Sequence, residues 1–511
     1  MSEQQRYKLH WVSAIIEMLK TMKEAILPLI VLVFANGWKD GGTGLWYVDY
    51  LSFIIFGALI ILLFISGVIK WRRFVYWFED DELRIESGLF VKKKRYIPFD
   101  RIQSLDYTEG IFHRPFGLVK VKVETAGSST AKQAEGELTA ITKEAAKQIE
   151  IEMADAKKRK KHAPREAVAE GEELLVDSPV EEETSALRQL FTMTTKDLLV
   201  LATTSGGIGV ILSGAAIFLS QFGELLPYER VFEEVSEFIK FGVLIVAIVV
   251  FLGLLGVWIL SVGMTFLSHY NFTVSMDKED IIITRGLLEK KRVTVPLKRI
   301  QGVVVVENPL RKLFGYATVT IHSAGGGISE SSKIHLFPLI KKKEVEHHLQ
   351  EIFPELHVKE PRNKLSLKGR PFYYRIDFLW MAPVIGALIY FFFPYGLFSL
   401  AIVPAVLALG MWQHRSAAYD IIDHQLTMRF RGISLQTAYM MKKRIQSMDM
   451  KQSYFHQRKG VATIVSNVKS GLGSYSANVQ HMDVEAAESI LLWYEKGKLP
   501  KEVEVVDAES R

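Results

Sequence analysis

The sequence contains no cysteine. Disulfide bonds, thiolate metal sites and cysteine nucleophiles are therefore excluded. Other catalytic signatures are also lacking: the glycine-rich stretch 323–329 opens no helix and has no following Lys-Ser/Thr, and the Ser-x-x-Lys matches at Ser129 and Ser466 fall in a polar loop and a strand-like stretch. Only His347 and His348 are close together, and neighbours on a helix point apart. We expect a protein that is not an enzyme and that uses no metal and no cofactor.

An excess of one charge is lacking as well. The chain has 63 Lys and Arg against 57 Asp and Glu, which gives a formal net charge of +6 over 511 residues. The basic residues are divided among short clusters, and no nucleic-acid-binding motif is present. Nucleic acid is therefore not an expected partner.

Apolar residues are abundant, and they are gathered into long runs. Hydrophobic residues make up 49% of the chain, although charged residues make up 23%. A helix of about 20 apolar residues crosses the hydrocarbon core of a bilayer. The sequence predicts six transmembrane helices in three pairs, at 22–38, 51–69, 198–222, 241–266, 378–393 and 397–412.

These runs contain no ionisable residue in their interiors, since Arg375, Asp377 and His414 fall at their edges. Ionisable residues at mid-membrane are the usual mark of ion and proton pathways. Their absence argues against a proton-coupled transporter, although a lipid-moving protein remains an alternative.

Charges beside the runs predict the topology, because positive residues near span ends stay on the cytoplasmic side. The segment 39–50 has one Lys and two Asp, and the segment 223–240 has five Glu against one Arg and one Lys. By contrast, Lys70, Arg72 and Arg73 directly follow the second run. The N-terminus lacks a small-residue cleavage site, so it is interpreted as retained rather than as a signal peptide. Both termini are expected in the cytoplasm.

One sequence motif occurs three times along the chain. The triplet Arg-Ile-Gln occurs at 101–103, 299–301 and 444–446. Counted from the triplet arginine, Gly88 and Gly286 lie thirteen residues before it, and Phe116 and Phe314 lie fifteen after it, each followed by glycine. Proline lies three residues before the first two triplets and is replaced by Met441 in the third. Matched spacing over this length indicates one domain in triplicate.

Each copy has the same β-rich pattern. Short strand-like stretches turn at a glycine, β-branched runs follow the triplet, and a helical pattern closes the copy at 142–153, 341–353 and 484–496. This order predicts a small β-barrel or sandwich with a helix covering one end.

The motifs D-x-L-x-I-x-x-G, Ile-Pro-x-x-Arg-Ile-Gln, Arg-x-Phe-Gly and Thr-Ala-Gly, all within 81–127, resemble the bacterial pleckstrin-homology-like (PH-like) domain of small membrane proteins. The threefold arrangement with paired spans resembles the YdbT-like family of bacterial transmembrane proteins. The third copy departs from the pattern at Met441 and lacks the Phe before Gly460. The resemblance covers nearly the whole chain and implies PH-like folds anchored in the bacterial cytoplasmic membrane. It also implies a small membrane partner with one such domain.

The expected fold is thus membrane α + β, with three helical hairpins each followed by a cytosolic PH-like barrel or sandwich with a C-terminal helix. The predicted boundaries are 1–70 for an amphipathic segment and helices 1–2, 71–153 for PH-like domain 1, 154–185 for a disordered charged linker, 186–266 for helices 3–4, 267–356 for domain 2, 357–413 for helices 5–6, 414–500 for domain 3 and 501–511 for a tail.

Basic side chains are the candidate binding residues. A triplet arginine can hold a lipid phosphate or a carboxylate through two hydrogen bonds, or it can hold neighbouring backbone within the fold, which is the favoured interpretation. The lysine clusters are each predicted on the strand that enters the triplet. Beside a membrane they attract anionic headgroups, or they are solvated strand faces that prevent aggregation. The candidates for lipid or partner binding are Lys92, Lys93, Lys94, Arg95, Arg101, Lys290, Lys291, Arg292, Arg299, Lys442, Lys443 and Arg444.

A further candidate is a row of small residues, Ser205, Gly209 and Ser213, which would let membrane helices approach closely or would merely reflect the glycine content of such helices. The sequence as a whole predicts a non-enzymatic scaffold that binds lipids and proteins, and we hypothesise a role in defence against membrane-active compounds. The alternatives are a transporter or lipid flippase gated by the domains, and a homo-oligomerisation module.

Overall fold

The computed structural model describes residues 6–22, 51–89, 91–125, 136–162, 187–205, 243–324, 333–471 and 473–495. The chain forms two compact units. Unit 1 contains Met1–Ser128 and Gln133–Pro296, and unit 2 contains Ser129–Lys132 and Leu297–Arg511.

The helices along the chain range from apolar ones, such as Leu51–Arg73, to highly charged ones, such as Lys143–His162. The helices are α1 (12–22), α2 (Leu51–Arg73), α3 (Lys143–His162), α4 (Thr195–Thr204), α5 (Val243–His269), α6 (Pro309–Leu313), α7 (Lys342–Ile352), α8 (Phe372–Phe391), α9 (Ile402–Ser416), α10 (Tyr454–Lys459) and α11 (Val484–Glu495).

Unit 1 contains a four-stranded sheet and a seven-stranded sheet, both antiparallel at every pairing. The first has the order β1-β2-β3-β4, with β1 (Tyr7–Lys8), β2 (Val75–Glu79), β3 (Glu82–Ser87) and β4 (Lys93–Pro98). The second has the order β7-β6-β5-β11-β10-β9-β8. Its strands are β5 (Ile102–Glu109), β6 (Leu118–Thr125), β7 (Gly136–Thr142), β8 (Arg188–Thr192), β9 (Thr273–Asp277), β10 (Asp280–Arg285) and β11 (Lys290–Pro296).

Unit 2 repeats this plan with a seven-stranded and a three-stranded sheet. The larger has the order β14-β13-β12-β18-β17-β16-β15, and the smaller has the order β19-β20-β21. The strands are β12 (Ile300–Glu307), β13 (Tyr316–Ser323), β14 (Lys333–Lys341), β15 (Asn363–Lys364), β16 (Ala418–Ile422), β17 (Gln425–Arg431), β18 (Leu435–Met441), β19 (Ile445–Lys451), β20 (Val461–Ser470) and β21 (Gly473–Asp483).

The two sheets of domain 1 enclose one apolar core. Leu83 and Ile97 of the four-stranded sheet pack in the same cluster as Val121 and Leu138 of the seven-stranded sheet, and Ile149 of α3 completes it. In unit 2, an equivalent core joins strands β17 and β18 to β20, β21 and helix α11. Complete burial of such side chains contributes about 1.5–3 kcal/mol each. The predicted barrel or sandwich closed by a C-terminal helix is confirmed for these two repeats.

Glycines explain two of the repeated motifs. Gly88 and Gly286 have positive φ angles of 136° and 106°, and a Cβ on either would lie about 2 Å from a backbone oxygen three residues on. Gly117, Gly315 and Gly460 all have φ between 64° and 73° and end a helical turn before a strand. The third repeat keeps this glycine without its phenylalanine, because the left-handed conformation depends on the glycine.

Each repeat begins with a strand that precedes its apolar helices. Strand β1 pairs with β2, β8 with β9, and β15 with β16, although long helical segments separate the partners in sequence. The prediction placed each domain wholly after its pair of spans, and the structure differs. These first strands are short, and the two-residue ones are too short to show an alternating pattern.

Two segments among the described residues are long and apolar enough to span a membrane, Phe251–His269 and Tyr395–Ser416. Helix α2 has 23 residues and ends with Lys70, Arg72 and Arg73, in agreement with the predicted second span. A shorter apolar stretch, Trp380–Phe391, lies in α8. Residues 23–38 of the predicted first span and residues 206–222 of the predicted third span lie outside the described residues. Among the described residues, length and composition therefore support the fourth and sixth predicted spans, and helix α2 covers the second.

The basic stretch after domain 1 is helical where the sequence predicted a disordered linker from residue 154. Helix α3 continues through this stretch to His162. Lysine and arginine are good helix formers, so the charge run extends the helix. The remainder of the predicted linker, 163–185, lies outside the described residues.

A buried histidine connects the second and third repeats within unit 2. The His322 ring of β13 stacks on Tyr475 of β21 with ring centroids 4.1 Å apart, and its Nδ1 lies 2.8 Å from the Ser470 hydroxyl. Burial, together with the positive charge of the nearby Lys333, lowers the pKa of His322 to about 4. The neutral ring is therefore the form that the folded protein holds.

This histidine predicts a pH dependence of stability. Since the pKa is near 6.5 in the unfolded chain and about 4 in the folded one, its contribution is complete above pH 6.5 and is lost as the pH falls toward 4. We expect the His322→Phe variant, which retains an aromatic ring, to lose less stability than the wild type between pH 7 and 4.5, by about 2 kcal/mol.

Thermal unfolding of the detergent-purified protein across this pH range measures the effect. The control is His347→Phe on the exposed face of α7, which should reproduce the wild-type slope. Identical slopes for His322→Phe and the wild type would contradict the prediction.

Candidate functional site

The first basic cluster, Lys92–Arg95, lies at the start of β4 and is partly neutralised. The Nζ atoms of Lys92 and Lys94 lie 2.7 and 3.4 Å from the Glu86 carboxylate on β3. The hydrogen bond from Lys92 is the largest cause that holds the pKa of Glu86 below its usual value. Lys93 is exposed and Arg95 is half-buried. The cluster presents less uncompensated charge than its sequence suggests.

The second cluster, Lys290–Arg292, lies on a strand that joins two repeats. On β11, Lys290 is opposite Glu109 of β5, and Arg292 is opposite Tyr107. The Arg292 guanidinium lies 5.8 Å from the centroid of the Tyr107 ring. The backbone of this cluster therefore takes part in the strand pairing between the first and second repeats, while the Lys290 side chain stays exposed.

The third cluster, Lys442–Arg444, was predicted on the strand that enters the triplet, and this was wrong. It forms a 3-10 turn between β18 and β19. The strand itself ends at Met441, at the position that proline occupies in the other repeats, and the lysines follow it. Lys442 donates a hydrogen bond to the Trp493 carbonyl and lies 5.0 Å from the Trp493 ring centroid. Lys443 pairs with Glu355 at 3.2 Å.

The triplet isoleucines are buried, as predicted: Ile102, Ile300 and Ile445 are 1%, 8% and 7% exposed. The arginines differ from one repeat to the next. Arg101 is exposed. The Arg299 Nε donates to the Ala324 carbonyl at 2.8 Å, and the Ala324 amide donates to the Arg299 carbonyl at 2.8 Å. In the second repeat, the triplet arginine thus holds neighbouring backbone.

The remaining arginine, Arg444, lines a cavity of about 310 Å3 within unit 2. Lys298 and Lys443 supply two more cations, and Glu355 supplies one carboxylate. The rest of the lining is mainly apolar and comes from both repeats: Ile300, Val303, Ile352, Phe353, Leu356, Tyr439 and Met441.

A second cavity of about 720 Å3 shares Glu355, Met441 and Lys443 with the first, so the two adjoin. It adds Lys442, Ile445 and Tyr494 to the lining. An apolar wall with convergent cations suits a ligand that carries an anionic group on an apolar body. Both cavities lie around the turn that holds the third basic cluster.

This cavity could not be predicted from the sequence, because its lining comes from distant segments. Lys298 precedes the second triplet and is not among the predicted binding residues, and Glu355 follows helix α7 at the end of the second repeat. Neither position has a signal of its own, since the grouping arises when β12 pairs with β18. Among the described residues, no group of His, Asp and Glu could hold a metal ion.

The predicted helix-packing row is described only at its first member. Ser205 follows α4, and its hydroxyl donates to the Leu201 carbonyl at 2.6 Å. Gly209 and Ser213 lie outside the described residues, so the row stays a prediction.

Comparison with known proteins agrees with the repeated fold. The family described as "Bacterial PH domain" matches residues 26–157, 216–352 and 376–498. The chain therefore belongs to the bacterial PH domain family, with three matching regions. It is 36% identical over 503 residues to the UPF0699 transmembrane protein YdbT of Bacillus subtilis (strain 168), which covers 97% of this chain and 98% of that protein. The family match and the apolar helices together identify the chain as a transmembrane protein with bacterial PH domains. No solved structure matches.

Proposed function

We propose that this protein is a non-enzymatic scaffold of the bacterial cytoplasmic membrane that binds anionic lipid headgroups through its third PH-like domain. The observation that carries the proposal is the cavity of about 310 Å3 in which Lys298, Lys443 and Arg444 meet an apolar wall. The transmembrane helices would keep this cavity near the bilayer, so that even weak binding becomes effective.

The charge balance of the cavity supports an anionic ligand. Three cations face one carboxylate, Glu355, which already pairs with Lys443. Near an anionic membrane surface, each Lys or Arg contributes about 1 kcal/mol. Arginine also forms two parallel hydrogen bonds to a phosphate, whereas lysine acts as a point charge. Arg444 is therefore the residue expected to contact the phosphate directly.

Binding of short-chain lipids to the detergent-purified protein tests this function. We expect dioctanoyl phosphatidylglycerol to raise the unfolding temperature and dioctanoyl phosphatidylcholine to leave it unchanged. In the double variant Lys443→Gln, Arg444→Gln, the affinity for phosphatidylglycerol should fall roughly tenfold or more, because two favourable charges are removed.

The matched control is Lys459→Gln, an exposed lysine of the same domain that lines neither cavity. It should bind both lipids as the wild type does. Equal phosphatidylglycerol affinities for the double variant and the control would remove the lipid-binding proposal.

We infer from the charge pattern that the chain crosses the membrane six times, with both termini and all three domains in the cytoplasm. The natural absence of cysteine makes this measurable with single introduced cysteines. In intact cells, Thr43→Cys and Ser236→Cys, which lie in the two acidic connections outside the described residues, should react with a membrane-impermeant maleimide. Ser489→Cys on α11 should react only after the cells are opened. The reverse pattern would refute this topology.

We also propose a physiological role in defence against membrane-active compounds, together with a small membrane partner that carries one PH-like domain. The support is the combination of membrane anchors with a cavity suited to anionic lipid. Deletion of the gene should increase sensitivity to at least one cationic membrane-active peptide, and a plasmid copy should restore resistance. Unchanged growth inhibition across a broad peptide panel would argue against the role.

A further inference from the structure

Two strand pairings join consecutive repeats, one within each unit. In unit 1, β5 of the first repeat pairs with β11 of the second. In unit 2, β12 of the second repeat pairs with β18 of the third. The strand after the triplet in one repeat thus adds to the strand before the triplet in the next.

Both joints have the same register. Tyr107 and Val305 each lie six residues after their triplet arginine, and their partners Arg292 and Thr437 each lie seven residues before theirs. The joint is therefore a repeated interaction rather than two unrelated contacts.

At the two ends of the series, the corresponding strands lie at sheet edges among the residues that the structure describes. Strand β4 is the first repeat's counterpart of β11 and β18, and it is terminal in the order β1-β2-β3-β4. Strand β19 is the third repeat's counterpart of β5 and β12, and it is terminal in the order β19-β20-β21.

Burial shows the same difference. Tyr96 on β4 and Tyr439 on β18 both lie five residues before their triplet arginine. Tyr439 faces Val303 across the joint and is 5% exposed, whereas Tyr96 is 53% exposed. An exposed aromatic side chain on an edge strand is a favourable place for another strand to add.

We propose that copies of this chain associate head to tail by adding β4 of one copy to β19 of the next. The chain carries both halves of a joint that it already makes twice, so a second copy is the occupant that matches each edge. In the shared register, Met450 would face Lys94, and Asp449 would face Arg95 of the neighbouring copy. Such a contact is heterologous and builds a ring or an open row.

The Asp449 side chain of β19 is compatible with pairing to β4 of a second copy. Asp106 of β5 accepts a hydrogen bond from the Thr294 amide across the first joint at 3.3 Å. Asp449 lies at the same position of the third repeat and is exposed. The amide that corresponds to Thr294 is that of Tyr96 on β4. Asp449 can therefore make, between two copies, the hydrogen bond that Asp106 makes across the joint of β5 and β11.

The lysines of β4 do not oppose the proposal. Charged residues on an edge strand commonly prevent unwanted pairing. Here, however, β11 carries Lys290, Lys291 and Arg292 and still pairs with β5. A basic sequence on this strand is therefore compatible with the joint.

Disulfide trapping tests the register in the full-length protein, which has no cysteine of its own. Two differently tagged variants, Lys94→Cys and Met450→Cys, are mixed in mild detergent and oxidised. Facing residues of adjacent strands lie within the distance that a disulfide needs. We expect a reducible species near twice 58.0 kDa that contains both tags. The pair Lys94→Cys with Lys459→Cys is the control, and trapping equal to this control would overturn the proposal.

A charge exchange provides a second measurement. Asp449→Lys places like charges opposite each other and should reduce association at least fivefold in sedimentation experiments, whereas Arg95→Glu in the same chain should restore it. Unfolding temperatures check that both variants fold. Failure of Arg95→Glu to restore association, or trapping of Lys94→Cys only with a separate small protein, would refute pairing between copies. Neither result depends on whether the cavity binds lipid.

Discussion

The backbone ladder between consecutive repeats is the interaction on which the described architecture depends. Across β5 and β11, and again across β12 and β18, the amides and carbonyls of one domain pair with those of the next. Unpaired strand edges expose polar groups and invite aggregation, so each joint removes two edges at once. The joints also bring distant segments together, and the cavity around Arg444 exists because β12 and β18 are neighbours. Binding chemistry and domain order thus have one structural origin.

Much of this fold can be predicted from the sequence. The triplet spacing, the turn glycines and the closing helices indicated three β domains, because each reflects a local rule: an alternating strand, a positive φ angle, or a helical period. The buried isoleucines of the triplet followed from the same strand alternation. Helix α2 and the segment Phe251–His269 were visible as apolar runs.

The remainder depends on contacts between distant residues. Nothing in the sequence of β11 indicates that its lysines face β5, since a basic strand looks the same whether solvent or another strand covers its edge. The two-residue strand β15 is too short for any periodicity. The third basic cluster was placed on a strand because Lys442 follows an apolar run directly, whereas the backbone turns there. Glu355 became part of a cavity only through the packing of two repeats.

The position of the membrane helices within each repeat has a practical meaning. Lys8 faces Val75, Thr192 faces Thr273, and Lys364 faces Ala418, so the last residue of each first strand lies directly opposite the first residue of the second. The intervening chain therefore stands where an ordinary hairpin would need only a two-residue turn. A water-soluble version of a domain should keep its short first strand and join it to the second through Asn-Gly, since a truncation that starts after the helices would discard part of the sheet.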